Sequence, residues 1–215
     1  MTKIIACKTI EDELIAAIDK TGVDYPVIWI ESGLHDSPAK LNARLQAELD
    51  SIEADRVLMA FGYCGNALLG LATGGFETVI PRADDCISLM IGSNKERSAV
   101  SADYAAYFLT AGWLCGERNI IVEYLHTLNK YGQKKTDSIM SRLYGNYRTL
   151  GLLNTGAYPV EPLIEATREI AGALGLEQKI IPGTIRFIES LLTGPWRQDM
   201  FIVKPPYTTI TFEDL

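Results

Sequence analysis

Residues 56–66 read RVLMAFGYCGN. The apolar run that follows Arg56 and ends at Phe61 is too short for a helix and suits a strand covered on both faces. Gly62-Tyr63-Cys64-Gly65-Asn66 then turns the chain tightly toward Ala67-Leu68-Leu69-Gly70-Leu71. Working outward, similar short apolar runs recur at Lys3–Ala6, Pro26–Ile30 and Glu77–Ile80, the last ended by Pro81. The segments between them carry helix signals. Thr9 can cap a helix running to about Lys20, with Gly22 ending it. Ser37-Pro38 gives a cap followed by a first-turn proline, and Leu41, Leu45, Leu49 and Ile52 recur at helical spacing to about Glu53. Another helix starts within Asp84–Ile91. The order β-α-β-α-β-α-β-α predicts an α/β fold: an open parallel, doubly wound, Rossmann-like sheet with helices on both faces and right-handed crossovers.

The second half is less regular. Tyr104–Thr110 reads as a strand, and Glu117 to about Tyr147 as helix with a break near Tyr131-Gly132. Thr149–Leu153, Gln178–Ile181 and Met200–Val203 read as further strands, and Glu161–Leu174 as an amphipathic helix. No internal repeat or low-complexity linker divides the chain. Its 215 residues fit a single α/β domain over 1–215, with two half-domains meeting near residue 145 as the alternative.

Composition excludes several function classes. The formal net charge of -7 argues against general nucleic-acid binding, because neutralising phosphates needs clustered Lys and Arg. The one basic cluster, Lys130–Lys135, reads as a solvated helix face or loop. No segment approaches the ~20 apolar residues of a membrane span, and the first residues lack a signal-peptide core. A cytoplasmic location is therefore expected. There, the four cysteines would be free, metal-bound or catalytic rather than disulfide-linked. No CxxC pair supports a zinc ribbon or a thioredoxin motif.

In a parallel sheet every strand points its C-terminal end at the same edge, where open α/β folds bind ligands. Cys7 follows the first strand, Cys64 the third and Cys86 the fourth, while His35 lies in the loop after the second. With strand order 2-1-3-4-5 these four strands are neighbours, and the site spans the place where the winding direction reverses. Three thiolates and an imidazole match a Cys₃His zinc set in ligand type. The thiolates equally suit three corners of an iron–sulfur cluster with one exposed iron. Set against this, free cysteine often serves as a small core hydrophobe. Cys115 falls outside the pattern and reads as inert, and His126 reads as a helix-surface or packing histidine.

The surrounding turns add polar groups. Backbone N–H groups at Gly65 favour a thiolate or bound anion, and Ser93 is a further cofactor contact. Arg82 can clamp a substrate carboxylate or phosphate bidentately. Asp85 and Asn66 complete the candidate catalytic set, although an aspartate here can equally cap the following helix. Neither a Walker A loop nor GxGxxG is present, and no Ser-His-Asp triad is evident.

At these residues the sequence resembles an uncharacterised bacterial and archaeal domain family. The resemblance rests on Ile4-Ile5-Ala6-Cys7, Gly33-Leu34-His35 with Pro38 and Leu41, and Tyr63-Cys64-Gly65-Asn66. It continues through Pro81-Arg82-Ala83-Asp84-Asp85-Cys86, Gly92-Ser93 and Thr110-Ala111-Gly112-Trp113, and extends loosely to Phe201-Ile202-Val203 and Pro206. Such proteins are frequent in methanogens and anaerobes and are often encoded near corrinoid-dependent methylamine or betaine methyltransferases. The resemblance thus implies a role near one-carbon or methylated-amine metabolism.

The leading expectation is a metal–thiolate enzyme or accessory protein, with zinc activating a thiol for methyl transfer to or from a small-molecule substrate. The alternatives are an iron–sulfur enzyme acting on a sulfur-containing or carboxylate substrate, and a non-catalytic binding partner of a corrinoid protein. The blandest is an α/β domain whose thiols only pack.

Overall fold

The computed structural model describes residues 1–116 and 118–215. Four parallel strands form as expected: β1 (Thr2–Cys7), β2 (Val27–Ile30), β3 (Arg56–Ala60) and β4 (Glu77–Pro81). They lie in the order β2-β1-β3-β4. The register sets Ile4 beside Val27 on one side and beside Leu58 on the other. From Val57 through Ala60 every residue of β3 is buried, which is the signature of a central strand covered on both faces.

Alternating residues feed two cores. Ile4, Ala6, Leu58 and Ala60 face α1 (Glu11–Thr21) and α9 (Arg186–Thr193). Ile5, Cys7, Val57 and Met59 face α2 (Pro38–Ser51) through Leu41, Leu45 and Leu49. Ser37 caps α2 by accepting from the Lys40 amide, and Pro38 opens it. Helix α1 ends at Gly22, whose φ of 71° lies in the left-handed region. Its start departs from expectation. Thr9 falls within a 3₁₀ turn, Lys8–Ile10, capped by the Cys7 side chain, and α1 begins without a side-chain cap.

One continuous open sheet is not what forms. The free edge of β4 is taken by β8 (Phe201–Lys204), which runs antiparallel and pairs Phe201 with Pro81. With that edge occupied, β5 (Ala106–Leu109) cannot extend the first sheet. It starts a second, parallel sheet with β6 (Thr149–Asn154) and β7 (Glu177–Pro182), in the order β5-β6-β7. Among the described residues the protein is therefore mixed α/β with two sheets. Ala106, Phe108, Leu153 and Ile181 of the second sheet join the core built on Ile4, Ala6, Leu58 and Ala60.

Between β4 and β5 lie α3 (Cys86–Ile91) and α4 (Asn94–Tyr104). After β5 come the short α5 (Ala111–Leu114), α6 (Ile120–Tyr131) and α7 (Gln133–Tyr144). The break expected near Gly132 separates α6 from α7, and the expected helix start at Glu117 lies outside the described residues. Helix α8 (Glu161–Ala173) connects β6 to β7. Among the described residues no helix is long and apolar enough to cross a membrane.

Candidate functional site

Cys7 ends β1 and is fully buried, with its Sγ 2.9 Å from the His35 Nε2 and 2.9 Å from the Thr9 Oγ1. His35 arrives from the 3₁₀ helix Ser32–Asp36 that follows β2. Cys64 sits in the turn after β3, where Cys64, Gly65 and Asn66 take φ values of 47°, 67° and 69°. Three successive left-handed residues fold this turn back sharply. The Tyr63 amide donates to the Ala83 carbonyl (2.7 Å) and the Cys64 amide to the Asp84 carbonyl (3.0 Å). These bonds tie the turn after β3 to the one after β4, and Cys86 opens α3 directly beyond it.

Gly62 makes this approach possible. A Cβ placed there would lie 2.5 Å from the Asp85 Cα. Gly112 does the same for the second sheet, since a Cβ there would come within 2.3 Å of the Thr9 carbonyl oxygen. That contact seats α5 on the turn after β1 and brings Trp113 over the thiols, where its Nε1 donates to the Cys86 Sγ at 3.4 Å. The Trp113 and His35 rings stand 6.3 Å apart.

A cavity of about 260 Å³ opens at this edge. His35, Cys64, Cys86 and Asp85 line its first-sheet side, and Tyr107, Phe108 and Trp113 its second-sheet side. The thiols are strongly desolvated. Burial pushes Cys64 up to about 12, helped by the nearby Cys7 and Asp85. Burial also raises Cys86 well above 9, with Cys64 and Cys7 adding to the rise and the Trp113 N–H opposing it. Cys7 is raised by burial and partly relieved by its hydrogen bonds with Thr9. All three thiols favour the protonated form at neutral pH. Among the described residues, no three His, Cys, Asp or Glu side chains stand at metal-holding spacing. Cys7 and Cys86 also pack into hydrophobic clusters, so part of their role is in the core.

The remaining expected site residues divide. Asp85 lines the cavity, and its Oδ1 caps α3 by accepting from the Ser88 amide (2.8 Å). Arg82 does not line it. Because β8 pairs antiparallel with β4, Arg82 meets the C-terminal segment, donating to the carbonyls of Gln198 (2.8 Å) and Asp214 (2.6 Å). Asn66 and Gly65 are exposed on the outer side of their turn, away from the cavity lining. Ser93 caps α4, accepting from the Glu96 amide and donating to the Glu96 carboxylate, both at 3.1 Å. Cys115 is exposed and borders a different depression with Lys8 and Arg44. His126 lies on the outer face of α6.

The sequence reading missed Arg97, which enters the cavity from α4. Its Nε donates to the Asp85 Oδ2 at 3.0 Å, and its guanidinium lies 5.5 Å from the centre of the Phe108 ring.

Fold and site together define a mixed α/β protein with a thiol-lined cavity at the carboxyl ends of its parallel strands. The family described as "Protein of unknown function (DUF1638)" matches residues 29–192, and the chain belongs to it. His35, Cys64, Cys86, Arg97 and Trp113 fall inside the matched span, and Cys7 precedes it. The chain matches no curated protein and no solved structure.

Proposed function

We propose that Cys7, His35, Cys64 and Cys86 hold a soft divalent metal, zinc in the leading form, beside a substrate cavity. In this reading the protein is a metal–thiolate enzyme or accessory protein of one-carbon chemistry. The observation that carries the reading is the placement of the donors. Cys7 and His35 are paired at 2.9 Å, and His35, Cys64 and Cys86 line the same cavity. The first sheet is read as doubly wound, with this cavity near the point where the winding reverses.

The donor chemistry suits a thiophilic ion. Three sulfurs and one imidazole match zinc in type, and their burial leaves a bound cation as the strongest available force for deprotonating them. Cys7, His35, Cys64 and Cys86 would be the residues that hold such an ion. When bound, zinc supplies acidification of an incoming thiol, which makes it a nucleophile at neutral pH. The chain's own residues supply the rest. Trp113 steadies the Cys86 sulfur, Thr9 the Cys7 sulfur, and aromatic residues of the second-sheet side line the cavity together with Cys64 and Cys86. The resemblance to proteins encoded near corrinoid methyltransferases directs this chemistry toward methyl transfer.

Metal analysis with visible absorption of anaerobically purified protein tests the proposal. About one zinc per chain in colourless protein is expected. A brown protein containing iron and sulfide would replace zinc by an iron–sulfur cluster, and absence of every metal would sink both. Cys64→Ser and Cys86→Ser should each weaken zinc binding by more than the ~10–100-fold typical of an outer-shell change. Competition with a chromophoric chelator measures it.

A further inference from the structure

We propose that Arg97 is the carboxylate-recognising residue of the cavity and that the ligand is a small organic monocarboxylate with an apolar body. The proposal rests on reading this cavity as the substrate site but is independent of which metal, if any, the thiols hold.

Arg97 is fixed before any ligand arrives. Its Nε donates to the Asp85 Oδ2 at 3.0 Å, its Nη2 lies 2.9 Å from the same oxygen as an ion pair, and its Nη1 donates to the Ser101 Oγ at 3.0 Å. Asp85 is itself locked as the cap of α3. The Phe108 ring below the guanidinium adds a cation–π contact. Of the five guanidinium N–H bonds, that of Nε and one on Nη1 are spent in hydrogen bonds and Nη2 is engaged by the Asp85 ion pair, leaving at least one N–H on each terminal nitrogen without a protein acceptor among the described residues. The Arg97 side chain remains 31% exposed, so these bonds are accessible from the cavity it lines. A rigid guanidinium with two such N–H bonds is the geometry that carboxylates engage.

The charge balance selects the kind of anion. Asp85 already offsets the Arg97 charge, so the pair is close to neutral. A monoanion gains charge-assisted hydrogen bonds there, whereas a phosphate dianion would also meet the Asp85 carboxylate. The rest of the wall is apolar or aromatic, formed by Ile87, Ala106, Tyr107, Phe108 and Trp113. That lining suits a hydrocarbon or ring body more than a polyol. A carboxylate held at Arg97 leaves the body of the ligand directed along this wall toward the thiols.

Isothermal titration of acid and amide pairs tests the assignment, using phenylacetate against phenylacetamide and butanoate against butanamide. Each titration is run on metal-depleted and on zinc-loaded protein. At least one acid is expected to bind about tenfold or more tightly than its amide. Arg97→Gln should abolish that preference, and Arg97→Lys, which keeps the charge but not the fork, should retain part of it. Far-UV circular dichroism and the denaturation midpoint of both variants identify a loss caused by misfolding, in which case Arg97→Lys decides. Equal affinity for acid and amide, no binding of either acid, or an undiminished preference in Arg97→Gln would overturn the proposal. Acid selectivity without zinc binding would leave this assignment standing while the metal reading fell; zinc binding without acid selectivity would do the reverse.

Discussion

Gly62→Ala is expected to destabilise the protein by about 3 kcal/mol or more and to disrupt the thiol cluster. The new methyl group would lie 2.5–2.7 Å from the backbone Cα, carbonyl carbon and nitrogen of Asp85. Backbone atoms cannot rotate aside as a side-chain tip can. Relief therefore requires the turn after β3 to separate from the turn that launches α3. The bonds from Tyr63 to Ala83 and from Cys64 to Asp84 cross the same gap and would stretch with it. Cys64 and Cys86, one on each turn, would part. Gly172→Ala is the matched control. Nothing lies within 4 Å of a Cβ at Gly172, which sits inside α8, so the same substitution should stabilise by up to ~1 kcal/mol. Urea unfolding of both variants measures the contrast. A Gly62→Ala protein as stable as the parent would refute the close approach of the two turns.

The second large effect depends on pH. Glu13 in α1 is fully buried, accepts from the Thr155 Oγ1 at 3.1 Å through Oε1, and has no partner for Oε2. Burial pushes its carboxyl up to about 7 from an ordinary 4.5, with hydrogen bonding by its own backbone and by Thr155 only partly opposing the rise. Below about pH 4.5 Glu13 is protonated in both the folded and the unfolded chain, and its contribution to stability is fully present. As pH climbs from 4.5 to 7 the unfolded chain ionises while the fold holds the proton, and stability falls. The loss is complete above pH 7 and is on the order of 3 kcal/mol. Glu13→Gln removes the ionisation. The variant should match the parent near pH 4.5 and exceed it by up to ~3 kcal/mol at pH 8. A stability difference between variant and parent that does not change across this range would contradict the burial of an ionisable carboxyl at this position.

The first sheet was legible because its strands carry their own signal. Val57–Ala60 is apolar without alternation, Leu41, Leu45 and Leu49 repeat at helical spacing, and the turns after β2, β3 and β4 are punctuated by Gly, Ser or Pro. Once those strands are parallel, Cys7, His35, Cys64 and Cys86 must share an edge, and the structure gathers them there. What sequence pattern does not encode is which edge each later strand chooses. The antiparallel pairing of β8 with β4 turned Arg82 toward the C-terminal segment and sent β5 into a second sheet. Arg97 escaped notice for a different reason. Its helix, Asn94–Tyr104, buries none of its residues and shows no apolar repeat. The usable signal was the capping box of Ser93 with Glu96, which marks a helix start at Asn94, directly after the cap, and places Arg97 at the end of its first turn. Trp113 was visible only as part of a motif, because its approach to Cys86 depends on Gly112 meeting Thr9 from the other sheet.

Titration of metal-depleted protein with cobalt(II) under anaerobic conditions tests the central claim most directly. Cobalt takes the place of zinc and reports its ligands by colour. One tight equivalent is expected, with an intense near-ultraviolet thiolate-to-cobalt band and the strong visible bands of a tetrahedral ion, the former diminished in Cys7→Ser, Cys64→Ser and Cys86→Ser. Weak octahedral bands without thiolate absorption, or no saturable binding, would contradict it.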